Sequence, residues 1–221
     1  KARASVEKSR VKLLKNADKL SNSRKSVMSQ VENQVKKYLI ELGMPNATLN
    51  IQHHIIDPSD DGIDDVDFLF SANKGIKPQQ LRNVASGGEF SRLMMVIKYI
   101  LASKRKLPTI IFDEIDTGVS GEIAIKMGQM MREIAKSHQV ISITHLHQIA
   151  TQGTAHYFVY KDHSADKTVS KIRQLSFEER VQEIAQMIGG RTPSEAIIQN
   201  AREMLLAQNA SLSQNGQTTL F

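Results

Sequence analysis

Two adjacent glycines stand between a serine and an acid in the segment Ser86-Gly87-Gly88-Glu89. Glycine lets a ligand approach the backbone closely, and free N–H groups at the start of a helix bind phosphate. An apolar helical pattern begins at this segment, so the segment could hold a phosphate group. A structural interpretation stays open beside it, because Ser followed three positions later by Glu is a capping box that needs no ligand.

A pair of carboxylates, Asp113-Glu114, comes directly after a short apolar run at residues 109–112. Such a run is typical of a buried parallel strand, and open α/β sheets bind ligands at the carboxyl ends of their strands. Asp113 could hold Mg²⁺ there, directly or through water, and Glu114 could orient or deprotonate a water molecule. The alternative is a solvated strand end, which is common for a single Asp.

A third candidate, Thr144-His145, directly follows the apolar run at residues 140–143. A single histidine is more often structural than functional, so its place in the fold decides its value. The six other histidines show no spacing typical of metal ligands.

The elements around these segments predict a parallel βαβ unit. The pattern indicates a helix at 87–103, a strand at 107–112, a helix at about 121–137 and a strand at 140–143. Strands joined by one crossover helix run parallel and end at the same edge of the sheet. We therefore expect Asp113, Glu114 and His145 to lie close together.

The first 43 residues predict one long helix, because they contain no Pro and no Gly before Gly43. Apolar residues recur every seven positions at Val6, Leu13, Leu20 and Val27. Arg10 and Arg24 interrupt this heptad seam, so the pattern indicates an imperfect coiled-coil helix that pairs with another helix.

The remaining segments predict two hairpins and two closing helices. Extended patterns occur at 46–71 and at 157–175, each around a polar turn, and helical patterns follow at 177–188 and 193–208. The predicted domains are an arm helix at 1–43, an α/β domain at 44–207 and a disordered tail at 208–221, which has little to bury.

Charge is unevenly distributed in this chain of net charge +6, since residues 1–43 hold eleven Lys or Arg and four acids. A basic arm on a near-neutral body favours a polyanionic partner such as DNA. Lys12, Lys15 and Lys19 share one helical face and are the candidate DNA contacts. A solvated helix face explains the same charges without a partner. The chain has no Cys and no apolar run approaching the roughly 20 residues that span a membrane.

Taken in order along the chain, these segments resemble the motifs of ABC-type ATPases. Residues 84–92 are similar to the signature loop in its SMC/RecN variant, and residues 109–114 to the Walker B strand with its catalytic Glu. Residues 115–120 resemble the D-loop, and His145 resembles the switch histidine.

The flanking sequence narrows the resemblance to the bacterial RecN type of DNA-repair ATPase. A basic helical arm leads directly into the domain, Gly43-Met44-Pro45 precedes the strands, and residues 68–73 precede the signature. The resemblance covers about residues 1–190, with His147 where Pro is expected after the switch histidine.

The resemblance implies an α/β fold: the C-terminal lobe of an ABC/SMC-type ATPase head, with a parallel βαβ core, flanking hairpins and an N-terminal coiled-coil arm helix. It implies an ATPase that acts in DNA double-strand-break repair and recombination, in the cytoplasm at the nucleoid. The implied partners are DNA, the N-terminal lobe of the same protein and a second head in a homodimer, with no membrane.

The resemblance also assigns roles to residues, with ATP and Mg²⁺ as cofactors. Asp113 would assist Mg²⁺ binding, Glu114 would be the general base and His145 would sense the γ-phosphate. Asp116 of the D-loop would couple two ATP sites. The ATP held by the opposite head would contact the signature residues Ser86, Gly87, Gly88 and Glu89.

A phosphate-binding loop of the form G-x-x-x-x-G-K-[S/T] does not occur in the sequence. In the proteins that the chain resembles, this loop lies in the N-terminal lobe. The resemblance therefore implies that the chain is the C-terminal lobe only, and we expect it to be inactive as an ATPase by itself.

Two other classes share part of this pattern. A nucleotide-binding subunit of an ABC transporter has the same motifs, but it would lack the basic heptad helix at 1–43. A non-catalytic DNA-binding module would have the arm, but it would not need intact Asp113, Glu114 and His145.

Overall fold

The computed structural model describes residues 2–83, 87–105, 107–113, 115–162 and 169–214, with the backbone alone for 209–214. The chain divides into two compact units, Lys1–Leu101 and Ala102–Phe221. The arm helix therefore belongs to the same unit as the strands that follow it, rather than separating near residue 43.

The first unit begins with helix α1, Ala2–Glu41, which ends just before Gly43. Gly43 has a φ of 75°, the left-handed conformation that favours glycine after a helix. Three antiparallel strands follow in the order β1 (Thr48–Ser59), β2 (Gly62–Ser71) and β3 (Gln79–Gln80). The short 3₁₀ turn Leu81–Asn83 and helix α2, Gly87–Ala102, complete the unit.

Burial divides α1 into two parts. Every residue from Ala2 to Asn16 is exposed, whereas Ala17, Ser21, Val35 and Leu39 are buried. The second part packs on the β1–β2 hairpin, and the ring of Tyr38 meets that of Tyr99 on α2 edge-on at 4.9 Å. Only this part of the helix contributes to the core.

The second unit contains the predicted βαβ arrangement. Strand β4 (Thr109–Asp113), helix α3 (Gly121–Ala135) and strand β5 (Gln139–Ile143) follow one another, and the two strands pair in parallel. Asp113 lies opposite Ile143, so both strands end at one edge. This pairing and the hairpins on either side of it confirm the predicted α/β fold class.

One face of the parallel pair differs from the expectation of a strand buried on both sides. Ile110 and Phe112 are buried, whereas Ile111, Ile141 and Ile143 are exposed on the opposite face. Alternation occurs because successive side chains of a strand point to opposite faces, so an apolar run by itself does not show that both faces are covered.

The second unit closes with helix α4 (His147–Ala150), the antiparallel strands β6 (Tyr157–Asp162) and β7 (Val169–Gln174), and helices α5 (Phe177–Gly189) and α6 (Glu195–Gln214). The two long helices form their own core. It consists of Val181, Ile184, Ala185, Ala201 and Leu205.

Helix α6 continues to Gln214, so residues 208–214 are helical where the sequence pattern predicted a disordered tail. Ala, Leu and Gln favour helix, and they prolong a helix that is already anchored by Leu205. Residues 215–221 lie outside the described residues. Within the part of the chain that the structure describes, no helix has the length and apolar character needed to cross a membrane.

Candidate functional site

The loop between β4 and α3 turns sharply and buries an acid. The N–H of Val119 donates to the carbonyl oxygen of Asp116 at 3.0 Å, and Gly118 takes a φ of 71°. Ile115 and Val119 are buried on either side of the turn. These contacts draw the Asp116 side chain inward, where it is 1% exposed.

Asp116 is bonded to the segment that follows β5. The hydroxyl of Thr144 donates to Oδ2 of Asp116, and the backbone N–H of His145 donates to the same oxygen at 3.2 Å. The Thr144 hydroxyl also accepts the N–H of Leu146 at 3.0 Å. The two loops that leave the parallel strands are thus joined through one carboxylate oxygen.

The other carboxylate oxygen of Asp116, Oδ1, is buried and has no hydrogen-bond partner among the described residues. Leaving such an acceptor unpaired costs about 1–3 kcal/mol. An unused acceptor at a strand end is therefore a candidate contact for a group that arrives from elsewhere.

The side chain of His145 is available to a ligand. Its Nδ1 lies 3.5 Å from Oδ2 of Asp116, yet the side chain is 68% exposed. The backbone is held by Asp116 while the ring faces solvent, which suits a residue that contacts a bound group. His147, two positions further along the chain, is partly buried, and this burial lowers its pKa.

Helix α4, directly after this segment, is packed closely against α3. A Cβ added to Gly128 would come within 3.1 Å of the Gln148 carbonyl oxygen and 2.7 Å of Cγ of Gln152. Only glycine gives this approach without displacement.

Beyond α4, the chain is tied to α5 by Arg180, which donates to the carbonyl oxygens of Gly153 at 2.8 Å and Thr154 at 3.2 Å. Arg180 is buried, and its burial lowers its pKa. The segment that carries His145 is therefore held by Asp116 before α4 and by α3 and α5 after it.

Asp113 ends β4 with an exposed side chain, at the same edge as Thr144 and His145. Glu114, the predicted general base, lies outside the described residues. Among the described residues, no three His, Cys, Asp or Glu side chains are grouped to hold a metal ion. Asp113 is an exposed carboxylate at this edge that could contact a hard cation such as Mg²⁺.

The signature segment lies in the first unit. Helix α2 begins at Gly87, which is exposed and where an added Cβ would meet no atom within 4 Å. Oε1 of Glu89 accepts a hydrogen bond from Nδ2 of Asn73 at 3.0 Å. Ser86 lies outside the described residues, so its role as a helix cap or ligand contact stays a prediction.

The predicted DNA contacts Lys12, Lys15 and Lys19 are exposed on α1. Lys12 and Lys15 lie in the fully exposed part of the helix, and Lys19 lies just after its first buried residue, Ala17.

Thr144 and Arg180 position the segment that carries His145, and the sequence analysis gave neither of them a role of its own. The polar Thr144 directly after a strand was the available signal for one, whereas the buried position of Arg180 had no sequence signal.

Curated proteins similar to this chain are bacterial DNA repair proteins. It is 38% identical over 193 residues to DNA repair protein RecN of Vibrio cholerae, a match that covers 86% of this chain and 35% of the relative. RecN of Deinococcus radiodurans is 37% identical over 203 residues, 91% of this chain and 36% of the relative. The chain belongs to the RecN family. It spans about a third of the length of the curated relatives it matches.

No protein-family model matches the chain. Among solved structures, the Smc head domain with a coiled coil and joint from Pyrococcus yayanosii aligns with a TM-score of 0.53 at 16% identity. That alignment covers 80% of this chain and 34% of the other. A Pyrococcus furiosus Smc head with an extended coiled coil aligns with a TM-score of 0.50, also at 16% identity. The fold of this RecN family member is that of SMC head domains.

Proposed function

We propose that this chain is the C-terminal lobe of an SMC/RecN-type ATPase head that acts in DNA double-strand-break repair and recombination. The observation that carries the proposal is the bonding of Asp116 to Thr144 and His145 at the edge where Asp113 ends β4. The names of the relatives support DNA repair over a transporter subunit.

The proposed chemistry is the attack of water on the γ-phosphorus of ATP, with cleavage of its bond to the ADP oxygen. Glu114 would take the proton of the water, and His145 would contact the γ-phosphate. Asp113 would help to hold Mg²⁺, which when bound would supply positive charge against that of the phosphates. Positioning and charge neutralisation supply most of the catalysis in such reactions.

The α- and β-phosphates need a cradle that this sequence does not contain, since it has no G-x-x-x-x-G-K-[S/T] segment. We infer that an N-terminal lobe of the same protein supplies it. In a homodimer of heads, Ser86, Gly87, Gly88 and Glu89 face the nucleotide of the opposite head. The chain by itself is then expected to show no ATP turnover.

The central test is Glu114→Gln in the full-length protein. The isostere cannot take a proton, so hydrolysis should fall by about 10²–10⁴-fold, the range typical of a general base. ATP binding should persist, and sedimentation in ATP should show a stable dimer. Glu122→Gln, an exposed carboxylate in the first turn of α3, is the matched control. Normal turnover in Glu114→Gln would refute the assignment.

The opposite-head role of the signature segment has its own test, Ser86→Arg in the full-length protein. A bulky cation there should obstruct closure of the dimer, so hydrolysis falls while ATP binding to a single head survives. Loss of ATP affinity in the monomeric head would instead show that Ser86 serves its own site.

DNA contact by the arm is the final part of the proposal. Each phosphate contact adds about 0.9 to the slope of log K against log salt on duplex DNA, so replacing Lys12, Lys15 and Lys19 by Glu should flatten that slope by about 2–3 units. The control is the same charge change at the exposed Lys74, Lys77 and Lys104. An unchanged slope in the arm variant would assign these lysines to a solvated face. With backbone contacts alone, no sequence preference is expected.

A further inference from the structure

A cluster of polar side chains around one buried carboxylate joins the long helix α1 to the β1–β2 hairpin. At its centre is Asp64 on β2, whose side chain is fully buried. Nη1 of Arg24 on α1 donates to its Oδ2 at 2.7 Å, and Nε2 of His53 on β1 lies 2.5 Å from its Oδ1. With Ser21, which is buried beside them, these residues form what we call the arm-root cluster.

The cluster stabilises the charged form of Asp64. Hydrogen bonding by Ser21, then by His53 and Arg24, holds the pKa of Asp64 far below its usual range, although burial acts in the opposite direction. Both carboxylate oxygens have partners, one of them a permanent cation. The carboxylate is therefore charged and fully bonded at any pH near neutrality.

Ser21, His53 and Asp64 are the residue types of a nucleophilic triad, but their geometry excludes that chemistry. One nitrogen of His53, Nε2, faces both Oγ of Ser21 at 3.5 Å and Oδ1 of Asp64. In a triad the acid holds one ring nitrogen while the other takes the serine proton. Ser21 is also only 3% exposed, so no substrate reaches it.

The cluster lies where α1 changes from a free helix to a packed one. The helix is exposed from Ala2 to Asn16. The hairpin turn then meets it, since Nη1 of Arg24 also donates to the carbonyl oxygen of Asp61 at 2.9 Å. Gly62, at a φ of +107°, sits so close that an added Cβ would lie 3.4 Å from both Arg24 and Leu20.

A second contact lies further along the same helix. Oε1 of Glu32 accepts the backbone N–H of Ile51 at 2.6 Å. The hairpin is thus bonded to α1 at two positions, Arg24 and Glu32. Its turn lies beside the buried residues of α1 that are nearest the exposed part of the helix, Ala17 and Ser21.

We propose that the β1–β2 hairpin keeps α1 from bending where the helix leaves the unit, a role that we call the splint. Asp64 is the positioning residue that fixes the direction of the free part of α1. Bending the helix at its root separates Asp64 from Arg24 and leaves a buried charge without its partner, which is strongly unfavourable. Motion of the arm is then transmitted to the hairpin instead of being absorbed at the root. The functional consequence of this coupling rests on the proposed ATPase.

The splint can be tested on this chain alone, which contains no Cys. Spin labels at Ser9→Cys, on the free part of α1, and His54→Cys, on β1, report the arm direction by electron–electron resonance. We expect a narrow distance distribution that broadens and shifts in Asp64→Asn. Asp65→Asn, a neighbouring exposed carboxylate, is the matched control and should leave it unchanged.

Arg24→Gln provides a second variant in case Asp64→Asn does not fold, with Arg24→Lys as a conservative replacement that should restore part of the narrow distribution. Circular dichroism checks that each variant keeps its helix content. A distribution that stays narrow in a folded Asp64→Asn or Arg24→Gln variant overturns the proposal.

If arm motion is coupled to the head in this way, DNA bound by the arm of the full-length protein should raise its rate of ATP hydrolysis. Asp64→Asn should then abolish that increase and leave the basal rate unchanged. Stimulation equal to wild type in this variant overturns the coupling role of Asp64. The spin-label distances could broaden in Asp64→Asn while the full-length wild-type protein hydrolyses no ATP. In that case the proposed function fails and the splint stands.

Discussion

The two units each bury an aspartate, and the two carboxylates are used in different ways. Asp64 in the first unit bonds through both oxygens, to a cation on one side and a histidine on the other. Asp116 in the second unit bonds through one oxygen only, to a hydroxyl and a backbone N–H, and its other oxygen has no partner among the described residues.

The difference is that Asp64 has no free hydrogen-bond acceptor, whereas Asp116 has one that another group could use. A fully buried carboxylate with both oxygens bonded cannot release its cationic partner Arg24 without leaving its own charge unpaired, which is strongly unfavourable. A carboxylate with one unused acceptor can gain a donor when another segment approaches. We therefore propose that Asp64 holds the arm root and that Asp116 is open to a further contact through Oδ1.

The largest effect should separate the two aspartates directly. Asp64→Asn removes the charge that Arg24 and His53 surround, so the free energy of unfolding of the chain should fall markedly. Asp116→Asn keeps an oxygen for Thr144 and His145 and places a neutral amide at the unused position, so its loss should be much smaller. Urea unfolding of both variants measures this, and equal losses would contradict the comparison.

Acidification tests the same contrast without mutation. The pKa of Asp64 is lower in the folded chain than in the unfolded chain. Its stabilising contribution is therefore complete above the unfolded value of about 3.9, and it is lost as the pH falls below that value towards the lowered pKa. Wild type should lose stability over this window, and Asp64→Asn should lose less.

Close packing of α4 provides the next effect. In Gly128→Ala the new Cβ meets the Gln148 carbonyl oxygen and the Gln152 side chain, so overpacking should cost about 1–3 kcal/mol. The higher helix propensity of Ala offsets about 1 kcal/mol of this overpacking cost. Gly87→Ala, with open space around its Cβ, is the control and should not be destabilised. Thermal unfolding of both variants is the measurement.

A loss of similar size is expected at Thr144. Thr144→Val deletes the hydroxyl that donates to Asp116 and leaves a buried acceptor with one donor fewer, so stability should fall by about 1–2 kcal/mol. Thr144→Ser keeps the hydroxyl and should lose less than half of that amount. A Val variant as stable as wild type would show that the bond to Asp116 contributes nothing to holding His145.

An exposed carboxylate gives the smallest effect and a reference for the two buried ones. Ser176 caps α5 in a capping box with Glu179, whose pKa falls from 4.5 to about 2 through its bonds to Ser176 and Arg173. Ser176→Ala should cost about 1 kcal/mol at neutral pH. Because the folded pKa is lowered, the Glu179 contribution should be lost as the pH falls from 4.5 to about 2. A cost that does not change across this window would argue against the capping box.

The local sequence pattern was sufficient to predict most of the helices and strands. The absence of helix breakers before Gly43 predicted α1, and two short apolar runs separated by an amphipathic helix predicted parallel strands with Asp113 at their carboxyl edge. The end of α6 was misplaced because polar composition was taken as disorder, whereas the helix continues from an anchored turn. Composition reports what a segment can bury, not whether a packed helix extends through it.

The sequence by itself determined which residue types stand at the ends of the strands and in which order, because periodicity and strand direction are local properties. Only the tertiary structure decided which polar side chains lose their water. Arg24 and Asp64 are far apart in the chain, and so are Asp116 and Thr144, yet each pair is bonded. Which side chains are buried and which hydrogen-bond partners they find depend on how segments distant in sequence pack together. A local sequence pattern does not contain that information.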